Sequence, residues 1–139
     1  DGDIVLDGKV VGKHRGYPFY TIGQRRDIGS YGGKKYVTKI DSKQNVITIG
    51  NDGSLYHSAL LAHSVNWMSI DGTTEPLRGF AKVRYKDDAT PAMLYPNNDG
   101  RIKIVFDLPK RAITPGQSVV FYQNDEILCG GIIDSVENA

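Results

Sequence analysis

The 139 residues carry 17 Lys and Arg against 16 Asp and Glu, a formal net charge of +1, with 40% hydrophobic residues and a single cysteine. That length suffices for one ordinary domain or two small ones, and it buries roughly two-thirds of the unfolded surface, so no disulfide scaffold is needed. The lone Cys129 excludes an internal bridge and fits a reducing, cytoplasmic setting, and no apolar run approaches the ~20 residues of a membrane-crossing helix.

The chain opens Asp1-Gly2-Asp3 with no methionine, which suggests a piece of a longer protein. From there the pattern is short β-rich runs punctuated by Gly, Asn, Asp and Pro. Strands are predicted near Ile4–Leu6, Lys9–His14, Phe19–Ile22, Lys35–Ile40 and Val46–Ile49, followed by a break at Asn51–Ser54. Helical periodicity is nearly absent; the best short candidate is Ser58–His63. A second set of strands is predicted near Val65–Met68, Arg78–Lys86, Ala92–Tyr95, Arg101–Phe106, Ser118–Tyr122 and Ile127–Val136. Turn residues cluster at Asp41–Asn45, Pro96–Gly100 and Gln123–Glu126, where hairpins require them. Regular strand spacing of this kind predicts an all-β protein. Leu55–Ala62 is the expected bridge between a small β unit, residues 1–60, and a closed barrel, residues 61–139. The Gly130-Gly131 pair inside an apolar run predicts a bulge or a close backbone approach.

Charge is unevenly spread. Residues 9–43 hold nine Lys or Arg against two Asp, a local excess of +7, whereas the last fifteen residues hold acids and no Lys or Arg. A basic first third suits either a polyanionic partner or a solvated cationic face. Its centre is FYTIGQRRDIGSYGGKKYV, residues 19–37, where Arg25, Arg26, Lys34 and Lys35 sit among glycines. No helix N-terminus follows to make a phosphate cradle, so the run reads as an electrostatic grip or as a long turn between strands.

Complete catalytic sets are missing from the sequence. It has no C-x-x-C, H-E-x-x-H, G-x-S-x-G or Walker A pattern; His14, His57 and His63 stand apart, and Cys129 lies among apolar residues. Asp87-Asp88 reads as a turn pair. Binding features are stronger. In Arg78–Lys86 the two-residue strand period puts Phe80, Lys82, Arg84 and Lys86 on one face and Ala81, Val83 and Tyr85 on the other. A cationic stripe with one aromatic suits phosphates and stacked bases, although charges on an outer strand also guard against edge pairing. Thr114-Pro115-Gly116-Gln117 predicts a type II turn that projects Gln117 from a rigid base.

With those residues in view, the sequence closely resembles the C-terminal part of the tRNA-specific 2-thiouridylases. The matching segments are YTIGQRR (20–26), YV-x-x-I-D (36–41), AKVRYKDDATPA (81–92), VFDLPKRAITPGQSVVFY (105–122) and GGII (130–133), in family order over almost the whole chain. The resemblance implies a central β domain followed by a six-stranded barrel like the second domain of a translation elongation factor. It also implies that a separate N-terminal domain binds ATP and magnesium and adenylates the wobble uridine of tRNA. A cysteine persulfide, charged by a sulfur-relay donor protein, then delivers sulfur, and a second cysteine resolves it. The S-G-G-x-D-S nucleotide motif and both functional cysteines are missing here, and Cys129 stands where the family usually has a glycine. This piece is therefore expected to be inactive alone, monomeric, and without a cofactor or metal of its own. After GQRR the family usually continues G-L-G-I, whereas Asp27 and Ser30 replace its first Gly and its Ile. Family tRNA contacts fall on Arg84, Tyr85 and Gln117. Lys82 and Lys86 join them by the strand-face argument, and Arg25 and Arg26 by charge and by the GQR segment. A docking module for a sulfur-relay protein is the alternative.

Overall fold

The computed structural model describes residues 1–138 and divides into two compact units, one comprising Asp1–Tyr56 and the other beginning at His57. In the first, β1 (Gly2–Leu6), β2 (Lys9–His14), β3 (Tyr36–Asp41) and β4 (Val46–Gly50) form a sheet in the order β2-β1-β4-β3. The β1–β4 pair is parallel and the other two are antiparallel. Alternation along these strands turns Ile4, Val37, Ile47 and Ile49 to one side, where they pack with Ile28 into the core of the unit.

The strand expected over Phe19–Ile22 is not formed. Pro18 fixes φ and removes a ladder donor, and a 3-10 turn over Tyr17–Phe19 takes its place, closed by Phe19 N donating to Gly16 O at 3.1 Å and Tyr20 N to Tyr17 O at 3.1 Å.

The second unit is a closed barrel in the order β10-β5-β8-β7-β6-β9. Its strands are β5 (Tyr56–Trp67), β6 (Leu77–Lys82), β7 (Thr90–Pro96), β8 (Ile102–Arg111), β9 (Ser118–Gln123) and β10 (Glu126–Glu137). The all-β class and the six-stranded barrel are as the sequence and its family resemblance imply. Leu60, Leu94, Ile104, Val119, Phe121 and Ile133 fill the interior.

Ser58–His63 is strand, not helix. A segment of that length makes too few hydrogen bonds to offset helix nucleation, while β10 satisfies its backbone along a ladder that pairs Leu60 with Val136 and Ala62 with Ile133. The barrel therefore starts at the beginning of β5, and Leu60 belongs to its core. The glycine pair sits at a register shift between Gly130 and Ile132, the anticipated bulge. The Gln123–Glu126 hairpin has Asn124 and Asp125 at φ 52 and 66, the backbone of a two-residue turn matched to strand twist.

Two predictions follow from this packing. A Cβ on Gly79 of β6 would stand 2.3 Å from Tyr122 O and 2.8 Å from Cζ of the buried Phe121. Gly79→Ala is expected to cost roughly 1–3 kcal/mol, read as a lower denaturant midpoint with an unchanged m-value; an unchanged midpoint would contradict this close β6–β9 approach. Cys129 is fully buried, and burial pushes its thiol up to about 11. It should therefore resist a disulfide reagent at pH 8 until the protein is denatured, and rapid modification of the native protein would refute its place in the core.

Candidate nucleic-acid interface

Lys82, the last residue of β6, pairs with Val120 near the start of β9. The segment leaving β6 and the segment entering β9 therefore emerge at the same end of the barrel. This juxtaposition gathers Lys82, Arg84, Tyr85, Lys86 and Gln117 within two short stretches of chain.

The strand expected to continue to Lys86 stops at Lys82. Residues 84–87 form a turn instead, closed by Asp87 N donating to Arg84 O at 3.1 Å. Asp87 causes the stop. Its Oδ2 accepts Val83 N at 3.2 Å and meets Lys110 Nζ at 2.8 Å. Lys110 is only 9% exposed and its ammonium also donates to Asp88 O at 2.8 Å and to Thr90 Oγ1 at 3.1 Å. The expected alternation of faces holds through Val83, which is buried in the barrel core although β6 has ended, and breaks at Tyr85; Arg84 and Lys86 are presented by the turn. Tyr85, which strict alternation points into the barrel, is 89% exposed, with Lys82 Nζ 5.8 Å from its ring centroid.

A second set of bonds ties this turn to the following one. Arg84 Nη1 donates to Ala112 O at 3.0 Å and Nη2 to Arg111 O at 2.8 Å. Thr114 Oγ1 donates to the same Ala112 carbonyl at 3.0 Å. Gln117 N donates to Thr114 O at 3.1 Å, and Gly116 has φ 92, the geometry that Pro-Gly at the centre of a type II turn predicts. Gly116 N then donates to Ile133 O, and Ile133 N to Gln117 O, each at 2.8 Å. The Gln117 backbone is thus fixed on both sides while its side chain is exposed.

Burial raises the Asp87 carboxyl, but the Lys110 and Val83 hydrogen bonds, with the charges of Lys110 and Arg84, outweigh that and hold it below the ordinary carboxylate range. The acid is therefore ionised near neutrality and is matched by Lys110. Lys82, Arg84 and Lys86 remain as cations beside one exposed aromatic and one exposed amide, which suits phosphate oxygens, ribose hydroxyls and base faces.

Lys110 and Asp87 were not recognised as a pair in the sequence, although a signal existed. Lys110 lies in phase with the inward residues Ile102, Ile104 and Phe106 of β8, and a charge at an inward position calls for a buried counter-charge. Leu108, also in that phase, is 79% exposed and adds an apolar side chain to this strand end.

Arg25 and Arg26 belong to the first unit and are exposed. Gln24 organises their loop: its Oε1 accepts Thr21 N at 3.0 Å and its Nε2 donates to Arg26 O at 2.7 Å. Gly23 N donates to Val37 O, and Val37 N to Gln24 O, which continues the edge of β3 along the loop. Asp27, with φ 63, then turns the chain so that Ile28 enters the core. Among the described residues no three His, Cys, Asp or Glu side chains are grouped to hold a metal.

Two family models match the chain: the tRNA methyl transferase PRC-barrel domain over residues 1–51 and the aminomethyltransferase beta-barrel domain over residues 57–133. The tRNA-specific 2-thiouridylase MnmA of Halothermothrix orenii is 48% identical over 128 residues, which is 91% of this chain and 36% of that protein. The enzymes of the same name from Chlorobium phaeobacteroides and Acetivibrio thermocellus are 47% and 46% identical, over 97% and 91% of this chain. The chain spans little more than a third of the length of these curated relatives. The matches run through both units and through every segment that forms the barrel-end surface, and on them the chain belongs to the tRNA-specific 2-thiouridylase family.

Proposed function

We propose that this chain is the tRNA-gripping portion of a 2-thiouridylase and that its barrel end makes the contact. The observation that supports this most is the fixed, outward presentation of Arg84, Tyr85, Lys86 and Gln117 at one end of the barrel, on two turns bonded to each other. Folded RNA offers dense phosphates, 2′-hydroxyls and unstacked bases. Arg84 spends two N–H groups on carbonyls and keeps its remaining donors for a phosphate. Tyr85 offers a ring face to a base, Gln117 hydrogen-bonds backbone or base edge, and Lys82 and Lys86 add attraction. Arg25 and Arg26, on their bonded loop, supply a further electrostatic grip. ATP and magnesium, uridine activation and sulfur delivery are assigned to the rest of the parent protein, with cytoplasmic tRNA as substrate.

A rigid grip of this kind favours tRNA by orientation: it lowers the cost of presenting one uridine to chemistry performed elsewhere. Docking of a sulfur-relay donor protein draws on a different surface, the outward row Tyr122, Phe80 and Pro91 formed across β9, β6 and β7. Phe80 is 47% exposed there. Titrating the protein with tRNA and with a persulfide carrier separates the two readings.

The decisive measurement is tRNA affinity against salt in the full-length enzyme. Arg84→Ala is expected to weaken binding and to reduce the slope of log K against log salt by about 0.7–0.9, the loss of one phosphate contact. Unchanged affinity and slope would overturn the assignment.

A further inference from the structure

Lys110 is nearly buried, so it is a poor candidate for touching RNA, yet it makes more directed contacts than any exposed cation at the barrel end. Its ammonium holds the Asp87 carboxylate, the Asp88 carbonyl and the Thr90 hydroxyl at 2.8, 2.8 and 3.1 Å. Asp87 and Asp88 lie on the segment that joins β6 to β7 and Thr90 is the first residue of β7, and Asp87 in turn holds Val83 N. One charge on β8 thereby fixes both ends of the turn that carries Arg84, Tyr85 and Lys86. From Arg84 the bonding continues to Arg111 and Ala112, and through Thr114 to Gln117.

We propose that Lys110 and Asp87 are positioning residues for RNA recognition: a concealed ion pair that sets the geometry of the tRNA-contact turn without touching tRNA. The inference rests on the tRNA-binding reading and deepens it. Asp87 carries the sharper consequence. A carboxylate beside a phosphate-binding surface opposes RNA electrostatically, so its removal tightens binding if charge is all it contributes. As a positioning group it has the reverse effect, because without it the turn loses its hold on Val83 and Lys110.

The test measures tRNA affinity of the full-length enzyme carrying Asp87→Asn, with Asp88→Asn as its neighbour control. The Asp88 side chain is exposed, and only its carbonyl is engaged. Asp88→Asn should bind tRNA as well as, or better than, the unaltered enzyme. Asp87→Asn should bind roughly tenfold more weakly, the order of cost of re-ordering a loosened contact side chain on binding, although both variants lose one negative charge. Equal or tighter binding by Asp87→Asn would overturn the proposal, whereas failure of the unaltered enzyme to bind tRNA would instead refute the function it builds on.

Should Asp87→Asn unfold, the pair Asp87→Asn/Lys110→Met leaves no uncompensated charge and should melt near the unaltered protein while still binding tRNA weakly; full affinity in that variant would also refute the idea. Amide exchange in the unaltered protein provides a check independent of any variant. Val83 N–H should exchange far more slowly than the amide of the exposed Tyr85, with or without tRNA, and rapid exchange at Val83 would show that the turn is not held.

Discussion

Lys110 carries a positive charge at a position only 9% exposed, and the Asp87 carboxylate makes that tolerable. Removing one partner of a buried pair typically costs on the order of 3–5 kcal/mol, because the survivor is left without compensation. A pair of apolar residues could fill the same volume at no loss of stability. What apolar residues lack is direction: the Lys110 ammonium reaches Asp87, the Asp88 carbonyl and the Thr90 hydroxyl, and Asp87 Oδ2 accepts from both Lys110 and Val83 N. The segment between β6 and β7 is therefore held in one shape where a looser connection would sample many. An exposed Tyr85 on a loose connection would lose conformational entropy when it met a ligand. On this turn much of that ordering has already taken place during folding.

The barrel and the turn after β6 depend on different physics. The barrel is apolar burial, with Phe121, Leu94 and Ile104 enclosed by strands that alternate inward and outward. The turn is polar and is held mainly by the charged side chains of Lys110, Asp87 and Arg84 bonded to each other or to backbone carbonyls and amides. Arg84 belongs to both descriptions: its guanidinium joins two chain segments and also carries charge to the surface. Arg suits that double task better than Lys, since its planar fork can bind two carbonyls while its other donors stay available.

Much of this was legible in the sequence. Strand spacing and turn residues gave the all-β class, and alternation correctly placed Ala81 inward and Lys82 outward. Pro115-Gly116 specified a turn whose backbone is as anticipated. Period-2 reasoning failed wherever a side chain interrupted a ladder. Asp87 caps Val83 and ends β6 early, which turned Tyr85 outward, and Pro18 replaced a strand with a 3-10 turn. Ser58–His63 was misread because its strand pairing is non-local: the partner is β10, more than sixty residues away, and a short window contains no trace of it. The substitution at Asp27 also finds a physical account. Its φ of 63 is a conformation that glycine adopts freely and that aspartate, among the other residues, tolerates comparatively well.

The two units differ in how their sheets end. Closure of the barrel leaves no unpaired strand rim, whereas the four-stranded sheet terminates at β2 on one side and β3 on the other. β2 sets the exposed Val10 and Val11 between Lys9 and Lys13, a β-branched pair bracketed by ammonium groups. Like-charge repulsion between two such rims opposes strand-to-strand stacking of one molecule on the next. On the β2 rim that repulsion rests mainly on Lys9, because the Lys13 ammonium is paired with the Asp3 carboxylate, and it weakens as high ionic strength screens it.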